Sequence, residues 1–151
     1  MNNSFKIHVI ILFILISVLC NLTEGQEYII KTGSIDQNNS GKVTLKEIEN
    51  GIAEGNVKTL IDYFSFQTYL SLSNGINGYY SSNQAYYVLE DFFGDYRVSD
   101  FKFTDMQIEK EIMYGTGTYT YTLRGKKDEA HVYVALKNIS KKWKITQLTI
   151  N

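Results

Sequence analysis

Residues 44–66 constrain the fold more than any other stretch, because they combine a helical apolar repeat with a single break. Gly55 and Asn56 form the break, and both residue types tolerate the left-handed backbone conformation that ends a helix. Spacing of three to four residues is typical of helices that bury one face. The stretch therefore predicts two helical segments that pack against another layer. Its apolar residues are Leu45, Ile48, Ile52, Ala53, Val57, Leu60, Ile61 and Phe64.

Two pairs of polar residues predict where helices begin. Thr44 with Glu47 and Ser81 with Gln84 are capping boxes, in which each side chain satisfies a free backbone N–H of the first turn. We expect the second helix to end at Gly94. Its inner side would carry Ala85, Val88, Leu89, Phe92 and Phe93.

The remainder of the chain alternates apolar and polar residues, as half-buried strands do. The predicted strands span residues 66–72, 101–109, 112–123, 130–137 and 143–150. Helices followed by a run of strands predict an α+β domain in which the helices cover one face of a bent antiparallel sheet. In the strand 112–123, one face would carry Thr116, Thr118, Thr120 and Thr122, and the other Tyr119, Tyr121 and Leu123.

Several segments carry a resemblance to known proteins. They read E-G-N-V-K-T-L-I-D-Y-F-S, G-Y-Y-S-S-N-Q-A, D-F-F-G-D, H-V-Y-V-A-L-K and K-W-K-I-T-Q-L-T-I-N. Residues 41–151 resemble a small family of secreted bacterial proteins, domain of unknown function 4783, within the nuclear transport factor 2-like (cystatin-like) superfold. The resemblance implies N-terminal helices packed on a strongly bent antiparallel sheet that forms a cone, and it implies no known activity.

Length and composition limit the classes of protein. A chain of 151 residues fits one domain. The formal net charge of −1 argues against a nucleic-acid-binding protein, whose surface would be basic. The sequence holds 12 Tyr and 8 Phe, and tyrosine suits half-wet sheet faces and pocket walls.

The N-terminus predicts export. Residues 1–25 read as a signal peptide, with a weakly positive start, an apolar run over residues 9–20 and small residues Thr23 and Gly25 before a cut at Gln26. The apolar run is too short to span a bilayer as a mature transmembrane helix. Residues 26–43 then form a polar arm and 44–151 the domain, in the periplasm or outside the cell. The alternative is a lipid anchor on Cys20, although Leu19 replaces the small residue expected before it.

Residues 36–47 match the pattern of the EF-hand calcium loop. Gly41 falls at the sixth position, where the loop turns sharply, and an acidic residue occupies each end. The alternative is an ordinary approach to a helix, in which Glu47 serves the capping box. The candidate ligands are Asp36, Asn38, Ser40, Lys42, Thr44 and Glu47.

The sequence names no catalytic residue. His131 is the single histidine of residues 26–151, and strand alternation places it opposite the apolar face of Val132, Val134 and Leu136. A concave apolar pocket in the cone remains open as a ligand site, and so does a core filled by the same rings. The candidate lining residues are Tyr63, Phe66, Tyr87, Phe103, Tyr119, Tyr121 and Trp143.

Three functions are therefore open. The first is an exported non-catalytic domain that binds a small ligand or a protein partner through the cone or the sheet face. The second is a cyclase- or dehydratase-like enzyme with an acid/base residue in the cone. The third is an envelope protein that binds calcium through residues 36–47, and apart from this alternative we expect no cofactor. The threonine-rich sheet face would also suit a homodimer.

Overall fold

The computed structural model describes residues 38–109 and 111–151, and Asn39–Asn151 forms one compact unit. Its helices are α1 (38–53), α2 (Val57–Leu60), which continues into a 3-10 turn at Ile61–Tyr63, and α3 (Ser82–Asp95). Its strands are β1 (Phe64–Leu72), β2 (Asn77–Ser81), β3 (Arg97–Glu109), β4 (Ile112–Leu123), β5 (Lys126–Ile139) and β6 (Lys142–Ile150). Within these ranges no helix has the length and apolarity needed to cross a membrane.

The six strands form one sheet in the order β2-β1-β6-β5-β4-β3. Helices packed on this sheet confirm the α+β prediction. One detail was wrong, because the sheet is mixed: β1 pairs with β6 in parallel, and the other neighbours are antiparallel. The last strand returns beside the first, which no local pattern reveals. The sequence predicted no strand between residues 72 and 101, and Asn77–Ser81 forms the short edge strand β2.

The core lies between the helices and the inner face of the sheet. Phe92 of α3 and Trp143 of β6 are both buried, which confirms their predicted place in the core. The predicted faces of β4 and β5 are also confirmed, with the threonines and His131 on the outer side. The other fully buried large side chains include Leu45, Ile48, Ile52, Leu60, Leu89, Tyr119, Leu136, Ile145 and Leu148.

The helix ends correct two predictions. Helix α1 already contains residues 38–43, and the Thr44 hydroxyl donates to the Ser40 carbonyl at 3.0 Å, so Thr44 is not a cap. The second capping box is confirmed, because Gln84 N donates to Ser81 Oγ and Ser81 N donates to Gln84 Oε1. Gly94 does not end α3, which runs to Asp95.

An irregularity in β1 overturns the predicted position of Phe66. Phe64 lies opposite Ile145 and Tyr69 lies opposite Gln147, so the intervening residues of β1 bulge out of register. The buried Thr68 hydroxyl donates to the Ile145 carbonyl at 2.8 Å and satisfies the bulge. Strict alternation fails across a bulge, and Phe66 is consequently 90% exposed instead of facing the core.

Candidate functional site

Aromatic rings fill the inner side of the sheet where α3 ends. The ring of Tyr96 stacks on Phe92 at a centroid distance of 4.5 Å and lies 5.2 Å from Tyr121. The fully buried Tyr119 donates its hydroxyl to the Tyr96 carbonyl at 2.6 Å. Burial, reinforced by Tyr121, raises the pKa of Tyr119 well above its usual range. Tyr119 is therefore a neutral structural hydrogen-bond donor.

A cleft opens next to this cluster, and we call it the arginine cleft. It is lined by residues 94–97 and 122–125 together with Asn74, and its volume is about 530 Å³. Helix α3 ends at Asp95, and the chain enters β3 at Arg97, which pairs with Thr122 of β4. Two residues later, Arg124 and Gly125 form the β4–β5 turn with φ angles of 51° and 81°. The pairing of β3 with β4 thus brings both arginines to one corner of the sheet.

The charges of the arginine cleft are unequal. Arg97 and Arg124 are exposed and carry two positive charges, while Asp95 carries one negative charge. Within residues 38–109 and 111–151, neither arginine takes part in a salt bridge. The C-terminal end of α3 adds a partial negative charge on the Asp95 side. The arginine side of the cleft can therefore accept an anion.

Three of the predicted pocket residues share the aromatic cluster. Phe103 and Tyr119 both lie within about 5–6.5 Å of the Phe101 ring, measured between centroids, and Tyr121 lies 5.7 Å from Tyr119. All three predicted residues are buried. None of the three lines the arginine cleft.

The other four predicted pocket residues lie elsewhere. Tyr63 and Trp143 meet at a groove of about 240 Å³ beside Lys144, although Trp143 is itself largely buried. Phe66 and Tyr87 are 90% and 65% exposed, so they do not face the interior of the cone. Phe66 is turned outward by the β1 bulge, and Tyr87 lies on the solvent side of α3.

A second groove lies between the α1–α2 turn and α3, with a volume of about 590 Å³. It carries charges of both signs, from Glu54, Lys58 and Glu90. The Tyr86 hydroxyl donates to Glu90 Oε1 at 3.0 Å, which raises the pKa of Tyr86. Because its charges oppose one another and its hydroxyl is already bonded, this groove selects no ligand class.

The predicted calcium ligands of residues 38–47 lie on α1. A helix spreads the side chains of Asn38, Ser40, Lys42, Thr44 and Glu47 around its axis, whereas an EF-hand loop directs them to one point. Gly41 lies where α1 approaches Met113 and Trp143 of the sheet. Among the described residues, no group of three or more His, Cys, Asp or Glu side chains could hold a metal. Asp36 lies outside the described residues, and calcium binding stays a prediction.

The sequence-based reasoning missed Tyr96, Arg97 and Arg124. A signal was present, because the sequence contains 15 lysines and arginines and only these two are arginines. The two arginines are 27 positions apart in the sequence, and only the pairing of β3 with β4 brings them to one cleft.

Comparisons with known proteins place this fold. The family model described as "Domain of unknown function (DUF4783)" matches residues 45–151. No curated protein matches. A DUF4783 family protein from Bacteroides uniformis is 18% identical, with a TM-score of 0.64, over 70% of this chain and 94% of that chain. One from Bacteroides ovatus is 21% identical, with a TM-score of 0.61, over 68% and 89%.

A more distant likeness extends to the wider fold. An NTF2-like protein of unknown function from Shewanella oneidensis is 12% identical, with a TM-score of 0.56, over 75% of this chain and 97% of that chain. At these identities the solved structures show the fold, which is NTF2-like. Because the family model matches more than two thirds of the sequence, this chain belongs to the family described as domain of unknown function DUF4783.

Proposed function

We propose that this protein is an exported, non-catalytic domain that binds a small molecule in the arginine cleft. The observation that carries the proposal is a cavity of about 530 Å³ lined by Tyr96 and by both arginines, Arg97 and Arg124. Ligand sites commonly measure about 300–1,000 Å³ and combine apolar walls with a few polar groups. Because the Phe92 and Tyr121 rings hold Tyr96 in place, its side of the cleft is preorganised.

The chemistry of the cleft favours binding over catalysis. An acid/base enzyme needs a group that can exchange a proton near neutral pH. Arginine stays protonated in proteins and cannot serve as a general base. Asp95 is exposed to solvent and is not enclosed among the aromatic rings. The cyclase- or dehydratase-like alternative thus gains no support from these residues.

The test is a fragment screen by ¹H–¹⁵N NMR on labelled protein. We expect saturable shifts at the amides of Gly94, Tyr96 and Gly125, with Gly78 and Gly115 as reporters outside the cleft. Shifts concentrated on His131 and the outer sheet face, or no saturable shift anywhere, would contradict the proposal.

A pair of variants checks the location independently. Asn74→Trp places a large ring in the cleft and should abolish fragment binding at the cost of one weak turn hydrogen bond, from Ile76 N at 3.3 Å. Asn83→Trp adds the same ring at an exposed position of α3 outside the cleft. Equal loss of binding in both variants would mean that the ring acts nonspecifically.

A second candidate is self-association through the outer sheet face. This face carries the half-buried, uncharged side chains of Thr116, Thr118, Tyr133 and Thr149 around a shallow cavity of about 460 Å³. Lys102 and Glu129 lie beside this patch on the same face, and a partly apolar centre with a polar rim is suited to an interface between copies of one chain. Sedimentation velocity of the wild type and of Thr118→Arg tests it. A concentration-dependent dimer that Thr118→Arg dissociates is the expected result, and a monomer at all concentrations would contradict it.

A further inference from the structure

We infer that the ligand of the arginine cleft carries an oxyanion, a carboxylate or a phosphate, attached to a compact apolar body. This inference rests on the proposed function and specifies the ligand class. The oxyanion would lie between Arg97 and Arg124, and the apolar body would lie against Tyr96.

The choice of residue type supports the oxyanion. Throughout the sequence, lysine supplies the positive charges except at positions 97 and 124. A lysine would suffice for solubility. Arginine differs because its planar guanidinium offers a fixed fork of donors that matches the two oxygens of a carboxylate or phosphate. Both forks of this chain line the same cleft.

The placement of the arginines supports joint binding of one group. Arg97 begins β3 opposite Thr122, and Arg124 follows Thr122 by two positions. Arg124 lies in the turn directly after β4, so both long side chains start from the same corner of the sheet. Two guanidinium groups that start so close together repel each other, and one oxyanion between them would remove that repulsion.

Asp95 and the end of α3 decide the orientation of the ligand. Both place negative charge on the side of the cleft where α3 ends. An oxyanion near Asp95 would be repelled, so the charged end of the ligand points toward Arg97 and Arg124. Tyr96 lies between Asp95 and Arg97 in sequence, and we expect its ring, which stacks on Phe92, to contact the apolar body at its open side.

The turn provides a variant that separates binding from folding. Arg124 has a φ of 51° and Gly125 a φ of 81°, and asparagine adopts the first of these conformations more readily than arginine. Arg124→Asn removes the guanidinium and favours the turn. A loss of binding in this variant, with a free energy of unfolding at or above that of the wild type, therefore reports the missing guanidinium. The turn conformation alone is no evidence for function, because Ser140 and Lys141 also have positive φ angles.

The experiment is an NMR titration with three probes, followed at the amides of Gly94, Tyr96 and Gly125. Benzoate carries the oxyanion and an apolar ring, benzamide is its neutral isostere, and inorganic phosphate has no apolar body. We expect benzoate to bind at least about tenfold more tightly than benzamide, as the loss of charge-assisted hydrogen bonds implies. Phosphate should bind the wild type more weakly than benzoate, and benzoate affinity should fall as salt screens the charges.

Three variants complete the test. Arg124→Asn and Arg97→Gln should each weaken benzoate binding by about tenfold or more, without changing the benzamide affinity. Lys137→Gln removes an exposed positive charge outside the cleft and should bind benzoate like the wild type.

The outcomes separate this inference from the proposed function. Equal affinity for benzoate and benzamide at the cleft amides would overturn the inference that the ligand carries an oxyanion. The proposed function would still stand. An equal loss of benzoate binding in Lys137→Gln would also overturn it, because any positive charge would then serve. Failure of every probe and every screened fragment to shift these amides would overturn both proposals.

Discussion

Gly41 sets how closely α1 approaches the sheet. A Cβ atom at this position would lie 2.4 Å from Met113 Cε and 2.9 Å from Trp143 Cε2. The methionine end can move, but the buried indole has little room to do so. We therefore expect Gly41→Ala to lower the free energy of unfolding by about 1–3 kcal/mol, as overpacking does. Urea denaturation measures the change.

Gly94 provides the matched control for that substitution. It lies in α3, and an added Cβ would meet no atom within 4 Å. Gly94→Ala should raise the free energy of unfolding by about 0.5–1 kcal/mol, because alanine favours the helix. Unchanged stability in Gly41→Ala would mean that α1 lies further from Trp143 than the structure shows.

Glu49 is a buried carboxylate that binds the edge of the sheet. Its Oε2 accepts a hydrogen bond from Phe103 N at 2.8 Å, and its Oε1 forms a salt bridge with Lys46. Burial opposes ionisation, but the bonds from Lys46 and Phe103 and the charges of Lys46 and Lys102 outweigh it and lower the pKa of Glu49. The charged form also occupies the outward N–H of an edge strand that could otherwise pair with another chain.

This lowered pKa predicts loss of stability in acid. A carboxyl whose pKa is lower in the folded state stabilises the protein above its unfolded pKa, near 4.3. That contribution is lost as pH falls through the folded pKa. Thermal unfolding between about pH 7 and pH 3 should show a steeper acid decline for the wild type than for Glu49→Gln. Parallel declines would show that Glu49 does not carry this effect.

At the scale of elements, α3 offers an internal comparison of its two faces. Phe92 is 1% exposed and stacks on Tyr96, whereas Tyr87 is 65% exposed. Phe92→Ala should cost about 3–5 kcal/mol, and Trp143→Ala a similar amount from the opposing strand. Tyr87→Ala should stay within about 0.5 kcal/mol. Chemical denaturation of the three variants checks this, and equal effects at Phe92 and Tyr87 would contradict the packing of α3.

The helical conformation of residues 38–47 limits the calcium affinity that we expect. With residues 38–47 helical, we expect calcium to bind no more tightly than about 10⁻⁴ M, the range of weak extracellular sites. Isothermal titration of the wild type and of Asp36→Ala tests this. Wild-type binding tighter than about 10⁻⁵ M that Asp36→Ala abolishes would instead indicate a sensor-grade site. Glu49→Gln serves as a control, since it removes a carboxylate of α1 outside the loop pattern.

At the scale of the whole molecule, the predicted export determines the compartment in which the protein would bind a ligand. We expect a mature chain that begins at Gln26, because Thr23 and Gly25 supply the small residues before the cut. Intact-mass measurement on protein from the native host decides this. A mass that retains Met1 would exclude cleavage, and a mass with acyl chains on Cys20 would indicate the lipid-anchored alternative.

Elements were predicted correctly where residues close together in the sequence determine them. The alternation in β4 predicted that Tyr119 and Tyr121 face the core, and the pair Ser81 and Gln84 predicted the start of α3. Prediction failed at Thr44, because a capping-box pair also occurs inside a longer helix. Phe66 failed for a related reason, since a bulge resets the alternation and only the partner strand reveals it.

The sequence by itself determined the helix break at Gly55, the faces of the long strands and the α+β class, because each depends on side chains a few positions apart. Only the tertiary structure decided the parallel pairing of β1 with β6, the close approach at Gly41 and the placement of Arg97 and Arg124 in one cleft. Each of these joins residues far apart in the chain. Their contact depends on how the sheet and helices pack, and no local pattern of residues encodes that.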